Sequence, residues 1–441
     1  MAVIHVVTRY RFLETAGGVL LQFFALGAVV GTLLLALPFS RTGQVQWLDL
    51  LFTATSAITV TGLVTLDTGS DFTFFGQLVI ALLIQTGGLG YMLIGTLMLL
   101  GKQHWLSLRQ QSTMGATAMT DTGMNLFSLV RFALLFTALV IGTTLAILAA
   151  FWIPAYGLVD GLWQATFHAI SAFNNAGFAL LSNSLVDVPG GQVVVWVHAF
   201  AFILGGMGFI VIFEVVRRHT PWSIHTRIMI YASAATLLIG TVLMLLFESH
   251  NSSFGQGFER ITQAFFQAAT TRTAGFNSID MTELSDASIA FMMMNMVIGA
   301  GPGSTAGGIR LTTFVLLLTG LFAALQGRHA TRLLGRTLDV SHLLRASGIL
   351  VSTLVLLTVL SLTLLAIERE QPGMVVIFEV VSALGTVGLS LGATGQLSEP
   401  GKWVIILVML IGKVSPVLLF SALAGRPERP IRHAGGYVAL G

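Results

Sequence analysis

Four twelve-residue stretches carry the chemistry available to this sequence. FTATSAITVTGL (52–63), FHAISAFNNAGF (167–178), FFQAATTRTAGF (265–276) and FEVVSALGTVGL (378–389) align without gaps. Each begins with Phe and ends in Leu or Phe. Each has a small or hydroxyl residue at the fifth position (Ser56, Ser171, Ala269, Ser382) and Gly at the eleventh (Gly62, Gly177, Gly275, Gly388). Glycine takes positive φ without steric cost, so it can aim successive carbonyls the same way. Four such turns around one axis make a ring of backbone carbonyls, and such a ring can replace an ion's hydration shell.

The rest of the chain must hold those turns in place. Of 441 residues, 55% are hydrophobic and 9% are charged, against about 25% charged in soluble domains. That excludes a soluble domain. Apolar runs at about 17–38, 73–100, 128–153, 193–217, 227–248, 287–325, 345–367 and 401–423 reach the roughly 20 residues a spanning helix needs. A β-barrel would show short alternating segments instead. The N-terminus, MAVIHVVTRYRFLETAGG, lacks the pattern of a removed signal peptide. There are no cysteines, so disulfides and thiolate metal sites are excluded.

Each Gly-containing stretch lies between two apolar runs. Such an internal repeat sets the architecture. The sequence predicts an all-α integral membrane fold. Four repeats of helix, short pore helix, filter turn and helix surround one central pore, in eight membrane segments with the sixth broken. The boundaries are 1–127, 128–226, 227–344 and 345–441, the last ending in a cytoplasmic tail. Irregular backbone at membrane depth is tolerated only where it is buried in protein or lines a watery cavity.

The broken segment is residues 287–325, where GAGPGSTAGGIR (299–310) interrupts two apolar flanks. The other repeats show only small-residue sites at the matching position: Gly87–Gly88, Gly205–Gly206 and Gly412. The segment is therefore expected to be a gate under the filter. Gly299, Gly301, Gly303, Gly307 and Gly308 would permit its movement. Pro302 sits within it, Ser304 and Thr305 would satisfy freed backbone, and Arg310 would place a charge at the inner mouth.

Charge sets the orientation. With the filter turns outside, sixteen of the 22 Lys and Arg fall on the inner half, among them Arg9, Arg217, Arg227, Arg310 and Arg345, as the positive-inside rule requires. Fourteen of the nineteen acids, including Asp67, Asp71, Asp280 and Glu399, fall on the outer side, where together they attract cations. Arg272 is expected behind the filter, bonded to carbonyls or a carboxylate. An enzyme is disfavoured: no HExxH occurs, and His168 reads as a packed or hydrogen-bonded side chain. GGLG (87–90) lies inside an apolar run without a dinucleotide-binding context, so close helix packing explains it. An alternating-access carrier also uses broken helices, but usually in inverted halves rather than four repeats of one sense.

The four motifs, with QTGGLGYM (85–92), LGGMGFIVI (204–212), GAGPGSTAGGIR and SEPGKW (398–403), resemble the Trk/Ktr/HKT superfamily of potassium transporters over about Gly18–Gly425. The first span begins by residue 17, without the two extra N-terminal helices usual in the Trk type, so the likeness is closest to the Ktr-type membrane subunits. The resemblance implies a bacterial inner-membrane protein with cytoplasmic termini and one pore per chain, moving K+ inward. It implies a homodimer in lipid, docked on a cytosolic ring of RCK-type (KtrA-like) regulatory subunits. ATP or ADP is expected only on that partner. No covalent cofactor and no nucleic acid is implied, and Na+ stimulates uptake in the Ktr type. The K+ ligands carried over are the carbonyls of Val60, Thr61 and Gly62, Asn175, Ala176 and Gly177, Thr273, Ala274 and Gly275, and Thr386, Val387 and Gly388. Ser at the first filter glycine often admits Na+ in the family, and here all four are Gly. One departure is IGKVSP, where the family usually has IGR followed by Gly-Pro. Lys413 is expected below the filter, holding the broken segment or limiting flux, because a charge at that depth is functional by default. A lysine lacks the planar fork of arginine.

Overall fold

A computed structural model describes residues 16–102, 126–186, 188–217, 222–305, 307–327 and 331–414. The termini, Arg9 and Ser415 of IGKVSP among them, lie outside the described residues.

One pattern occurs four times. A long apolar helix is followed by a short buried helix, an irregular turn and a second helix. The long helices are α1 (Ala16–Leu35), α4 (Leu126–Tyr156), α8 (Ile224–Phe247) and α12 (Val340–Ile367). These four are the helices long and apolar enough to cross a membrane unaided, among the described residues. Their exposed faces carry Leu26 and Leu33, Leu135 and Leu139, Leu238 and Leu246, and Val355 and Leu362. Apolar side chains facing outward along a whole helix suit lipid, where burial in protein is not required. The short helices are α2 (Trp47–Thr59), α5 (Leu158–Phe173), α9 (Phe258–Thr270) and α13 (Gly373–Gly385). From Phe167 to Phe173 every residue of α5 except Ile170 is buried.

The second helices are α3 (Phe74–Lys102), the pair α6 (Gly191–Met207) and α7 (Phe209–Val216), the pair α10 (Asp286–Val297) and α11 (Leu311–Leu325), and α14 (Glu399–Val414). Two of these segments are interrupted, where one was expected. The second unit bends by 98° at Gly208, whose backbone (φ 90°, ψ 136°) is not helical. The physical reason is room: a Cβ on Gly208 would lie 2.6 Å from the Pro302 carbonyl oxygen of the third unit. The fold is also not purely helical. Strands β1 (Thr331–Leu333) and β2 (Arg336–Leu338) form a hairpin between α11 and α12. Leu334 and Gly335 both take positive φ, as a two-residue hairpin turn demands.

The apolar clusters lie on the seams between consecutive units. Phe167, Ala176 and Phe178 of the second unit join the core of the first. Phe266, Ala274 and Phe276 of the third join the second. Phe378 and Val387 of the fourth join the third, and Leu48, Phe52 and Leu63 of the first join the fourth. The last seam also carries the Lys402–Asp49 ion pair at 2.6 Å and the edge-to-face pair Trp47–Trp403.

Two units share a clamp between long helix and second helix. The Glu248 carboxylate, just past α8, accepts from the Ser285 backbone N–H at 2.9 Å and its hydroxyl at 2.7 Å. Glu368, just past α12, does the same to Ser398 at 3.0 and 2.6 Å. Burial opposes ionisation of Glu248, but hydrogen bonds from Ser288, Asn251 and Ser285 prevail and hold its carboxyl below the ordinary range. A depressed folded-state pKa contributes stability above the unfolded value, and that stability is lost as pH falls through the folded value. Glu248→Ala should cost about 1–3 kcal/mol, the penalty for unpaired buried donors. Thermal unfolding in detergent checks this: wild type and variant should differ at neutral pH and converge in acid.

Candidate functional site

Each short helix runs into a turn with the same backbone. The ninth motif residue takes positive φ in all four: Val60 (56°), Asn175 (58°), Thr273 (75°) and Thr386 (50°). For non-glycine residues this conformation is uncommon and persists only when the surroundings enforce it. The eleventh residue follows in kind: Gly62 (96°), Gly177 (68°), Gly275 (80°) and Gly388 (94°).

The glycines are also required by crowding. A Cβ on Gly62 would fall on the carbonyl oxygen of Ala176. One on Gly177 would lie 3.1 Å from that of Ala274, and ones on Gly275 and Gly388 would fall on those of Val387 and Thr61. Each glycine thus packs against the tenth-position carbonyl of the next unit, and the fourth closes on the first. The result is a closed backbone ring of twelve residues, the same Val60–Gly62, Asn175–Gly177, Thr273–Gly275 and Thr386–Gly388 singled out in the sequence. The short helices end at this ring, so the negative poles of their dipoles face it and favour a cation. On one side lies a cavity of about 290 Å³ lined by all four glycines, with Asp67, Asn277 and Thr394 in its wall.

Hydroxyls brace the turns from behind in two ways. Ser56 and Ser382 accept from the N–H groups of Gly62 and Gly388 at 3.0 and 3.1 Å. Ser171 donates to the Phe178 carbonyl at 2.7 Å. In the third unit the fifth position is Ala269, and Thr270, one residue later, donates to the Phe276 carbonyl at 2.6 Å.

The loop 299–310 lies directly beneath. Its two ends are zipped: Gly299 N–H donates to Ile309 O at 2.8 Å and Ile309 N–H to Val297 O at 3.1 Å. Gly301 N–H donates to Gly206 O at 2.9 Å, and Phe209 N–H to Gly303 O at 3.5 Å. The Thr305 hydroxyl lies 3.2 Å from Asn175 Oδ1. A Cβ on Gly307 would fall on the Thr386 hydroxyl, and one on Gly308 would lie 3.2 Å from the Gly299 nitrogen. Ser304 Oγ donates to the Gly301 carbonyl at 2.7 Å, and Arg310 Nη1 donates to the same oxygen at 3.3 Å. Lys413 is buried, and its Nζ donates to the Thr305 carbonyl at 2.6 Å. The structure therefore brings the loop to the ring residues Asn175 and Thr386, with Lys413 holding it at Thr305. Arg272 differs from expectation. The hydrogen bond described for it runs to the Ser233 hydroxyl of α8 at 3.2 Å, not to a carboxylate or carbonyl.

Small-residue sites on the second helices have a specific partner. A Cβ on Gly87, Gly205 or Gly412 would fall on the carbonyl of Ile58, Phe173 or Leu384, the seventh motif residue in each case. Within the motifs, His168 reads in the sequence as a packed or hydrogen-bonded side chain, and so it is, whereas Glu379 carries no reading of its own. His168 and Glu379 occupy the second motif position and bond to the chain after the turn. The one visible signal was a polar residue beside the leading Phe.

Comparison with known proteins agrees with this geometry. The family described as "Cation transport protein" (TrkH) matches residues 22–425. The "Ktr system potassium uptake protein B" of Bacillus subtilis is 39% identical over 428 residues, covering 95% of each chain. The protein of the same name from Vibrio alginolyticus is 39% identical over 419 residues, covering 93% of this chain and 91% of its own. The "Potassium/sodium uptake protein NtpJ" of Enterococcus hirae is 35% identical over 430 residues, covering 95% of each. The crystal structure of the potassium transporter TrkH from Vibrio parahaemolyticus superposes with a TM-score of 0.71 over 91% of this chain and 83% of that one, at 19% identity, a likeness of fold.

If the close approaches explain the helix glycines, substitutions should separate cleanly. Gly205→Ala, on a carbonyl, should lower the unfolding temperature. Gly142→Ala, in the interior of α4 with nothing within 4 Å, should raise it by the helix-propensity gain of about 1 kcal/mol. Thermal scans of the two variants check the sign of each.

Proposed function

The chain belongs to the TrkH family of cation transport proteins, and from that premise we propose that it takes up K+ through a pore on the ring axis. Transport, not catalysis, is the activity of the relatives it matches. The observation that carries the reading is the closed ring in which four turns repeat one left-handed backbone conformation. Carbonyls of such turns replace the hydration shell of a dehydrated ion. The cavity above the ring serves as the outer vestibule, where Asp67 adds attraction for cations. The eight helical segments are eight spans, with the short helices re-entering from outside and the termini in the cytoplasm of a bacterial inner membrane. All four filter positions are Gly, which supports K+ over Na+.

The loop 299–310 is the gate. It sits under the ring, is latched by Lys413 through the Thr305 carbonyl, and contacts the Gly208 bend of the second unit. A homodimer, a cytosolic nucleotide-binding ring and stimulation by Na+ complete the proposal, with ATP or ADP on the partner alone. An alternating-access Na+/K+ symporter would be expected to pair inverted halves across its site. A ring of four turns of one sense favours the pore.

Isotope uptake in a potassium-transport-deficient host tests this. Wild type should restore K+ uptake. Gly62→Ser should erode K+ over Na+ preference by about tenfold, equivalent to about 1.4 kcal/mol, because its side chain must displace the Ala176 carbonyl. Unchanged preference overturns the filter assignment. Deleting residues 300–308 should raise flux and weaken regulation, and Lys413→Ala should raise basal flux to a smaller extent. Unchanged flux in both overturns the gate.

A further inference from the structure

The second motif position holds Thr53, His168, Phe266 and Glu379 in the four units. Two of these are buried polar groups that reach past the filter turn to the segment after it. Glu379 is fully buried in α13. One carboxylate oxygen accepts from the Ser390 hydroxyl, and the other accepts from the Thr394 hydroxyl at 2.6 Å. Ser390 Oγ in turn accepts from Gly392 N–H at 2.9 Å and lies 3.0 Å from the Thr394 hydroxyl. Ser390 is two residues beyond Gly388. Ser390, Gly392 and Thr394 line the cavity above the ring.

His168 does comparable work in the second unit. Its Nε2 accepts from Leu180 N–H at 3.1 Å, three residues beyond Gly177. That places the proton on Nδ1, which donates to His198 Nε2 at 3.3 Å, and His198 Nδ1–H donates to the Val194 carbonyl at 2.8 Å. The chain of three hydrogen bonds fixes both tautomers. At this position the other two units show no such reach among the described residues, although in the third unit Gln263, two residues before its motif, accepts from the Ser278 hydroxyl. Thr53 bonds only to its own helix, at the Asp49 carbonyl (2.9 Å), and Phe266 is apolar and packs on Phe202.

Ring order places the second and fourth units opposite each other. We infer that Glu379 and His168 are a diagonal pair of positioning residues for ion selection, each fixing the post-filter segment of its own turn from behind. Neither touches the ion. A carboxylate accepting two hydroxyls is the stiffer bracket, since hydrogen bonds to charged groups are the stronger kind. The inference rests on the filter reading above.

The test measures K+ half-saturation, maximal uptake and K+/Na+ preference at matched membrane abundance. Glu379→Gln keeps the shape and leaves one accepting oxygen. It should raise the K+ half-saturation and lower the preference about tenfold, the effect of losing one charge-assisted hydrogen bond, with maximal uptake little changed. His168→Phe should shift both readouts in the same direction. The pair Ser390→Ala/Thr394→Val keeps the carboxylate and removes its donors, so it tests the bracket where Glu379→Gln does not reach the membrane. Thr53→Val, at the same motif position, should leave half-saturation and preference as in wild type. Wild-type values in Glu379→Gln and in the Ser390/Thr394 pair, beside an eroded preference in Gly62→Ser, overturn the bracket and leave the filter standing. An equal shift in Thr53→Val also overturns it. A wild-type protein without K+ preference overturns both readings.

Discussion

The structure depends on one close approach: the backbone of each Gly-containing turn against the backbone of the next. A Cβ at Gly62, Gly275 or Gly388 would fall on a neighbouring carbonyl oxygen, so these positions are glycine for reasons of contact as well as conformation. Because every unit touches the next through the same atoms, none of the four turns can relax alone. The ninth residues Val60, Asn175, Thr273 and Thr386 are held in left-handed backbone that an isolated turn would leave. The apolar seams are what hold them there. Each cluster joins consecutive units, and the Lys402–Asp49 pair and the Trp47–Trp403 contact secure the seam that closes the circle.

The same close approach propagates outward. Gly87, Gly205 and Gly412 let the second helices rest on the carbonyls of Ile58, Phe173 and Leu384, at the ends of the short helices that feed the ring. In the third unit the chain instead leaves its helix at Val297, crosses under the ring and returns at Leu311. Irregular backbone here meets its hydrogen-bonding needs from its own zipped ends, from Ser304 and Arg310 within the loop, from Gly206 and Phe209 of the second unit, and from Lys413. The second unit's helix yields to it at Gly208. The departure from fourfold symmetry therefore spans two neighbouring units, joined by the contact of Gly208 with Pro302.

Much of this was legible in the sequence. The four motifs, their glycines and the broken span between 287 and 325 were visible because they are local patterns repeated in one chain. What escaped was non-local. Gly205–Gly206 reads as a small-residue site in an unbroken helix, and only the position of Pro302 turns Gly208 into a bend. Ala269 reads only as a small residue at the fifth position, while the bracing hydroxyl comes from Thr270, a residue later. Glu248 and Ser285, or Glu368 and Ser398, are ordinary residues until the fold sets one beside the other. Arg272 was expected to meet a carboxylate or carbonyl, and it meets Ser233. The hairpin at 331–338 was hidden in a short, mixed stretch, TRLLGRTL, where Leu334-Gly335 was the available turn signal.

The lysine in the last helix can be understood in the same physical terms. An arginine fork distributes its donors over several acceptors in one plane, whereas an ammonium is a compact point charge. The hydrogen bond described for Lys413 runs to one acceptor, the Thr305 carbonyl, and a single carbonyl asks for no fork. Thr305 is in turn tied through its hydroxyl to Asn175 of the ring. One residue of the loop thus connects the fourth unit's helix to the second unit's turn, across the axis. The loop's glycines are as crowded as those of the ring: a Cβ on Gly299 would fall on the Gly307 carbonyl, and one on Gly307 on the Thr386 hydroxyl, so loop and ring are fitted to each other.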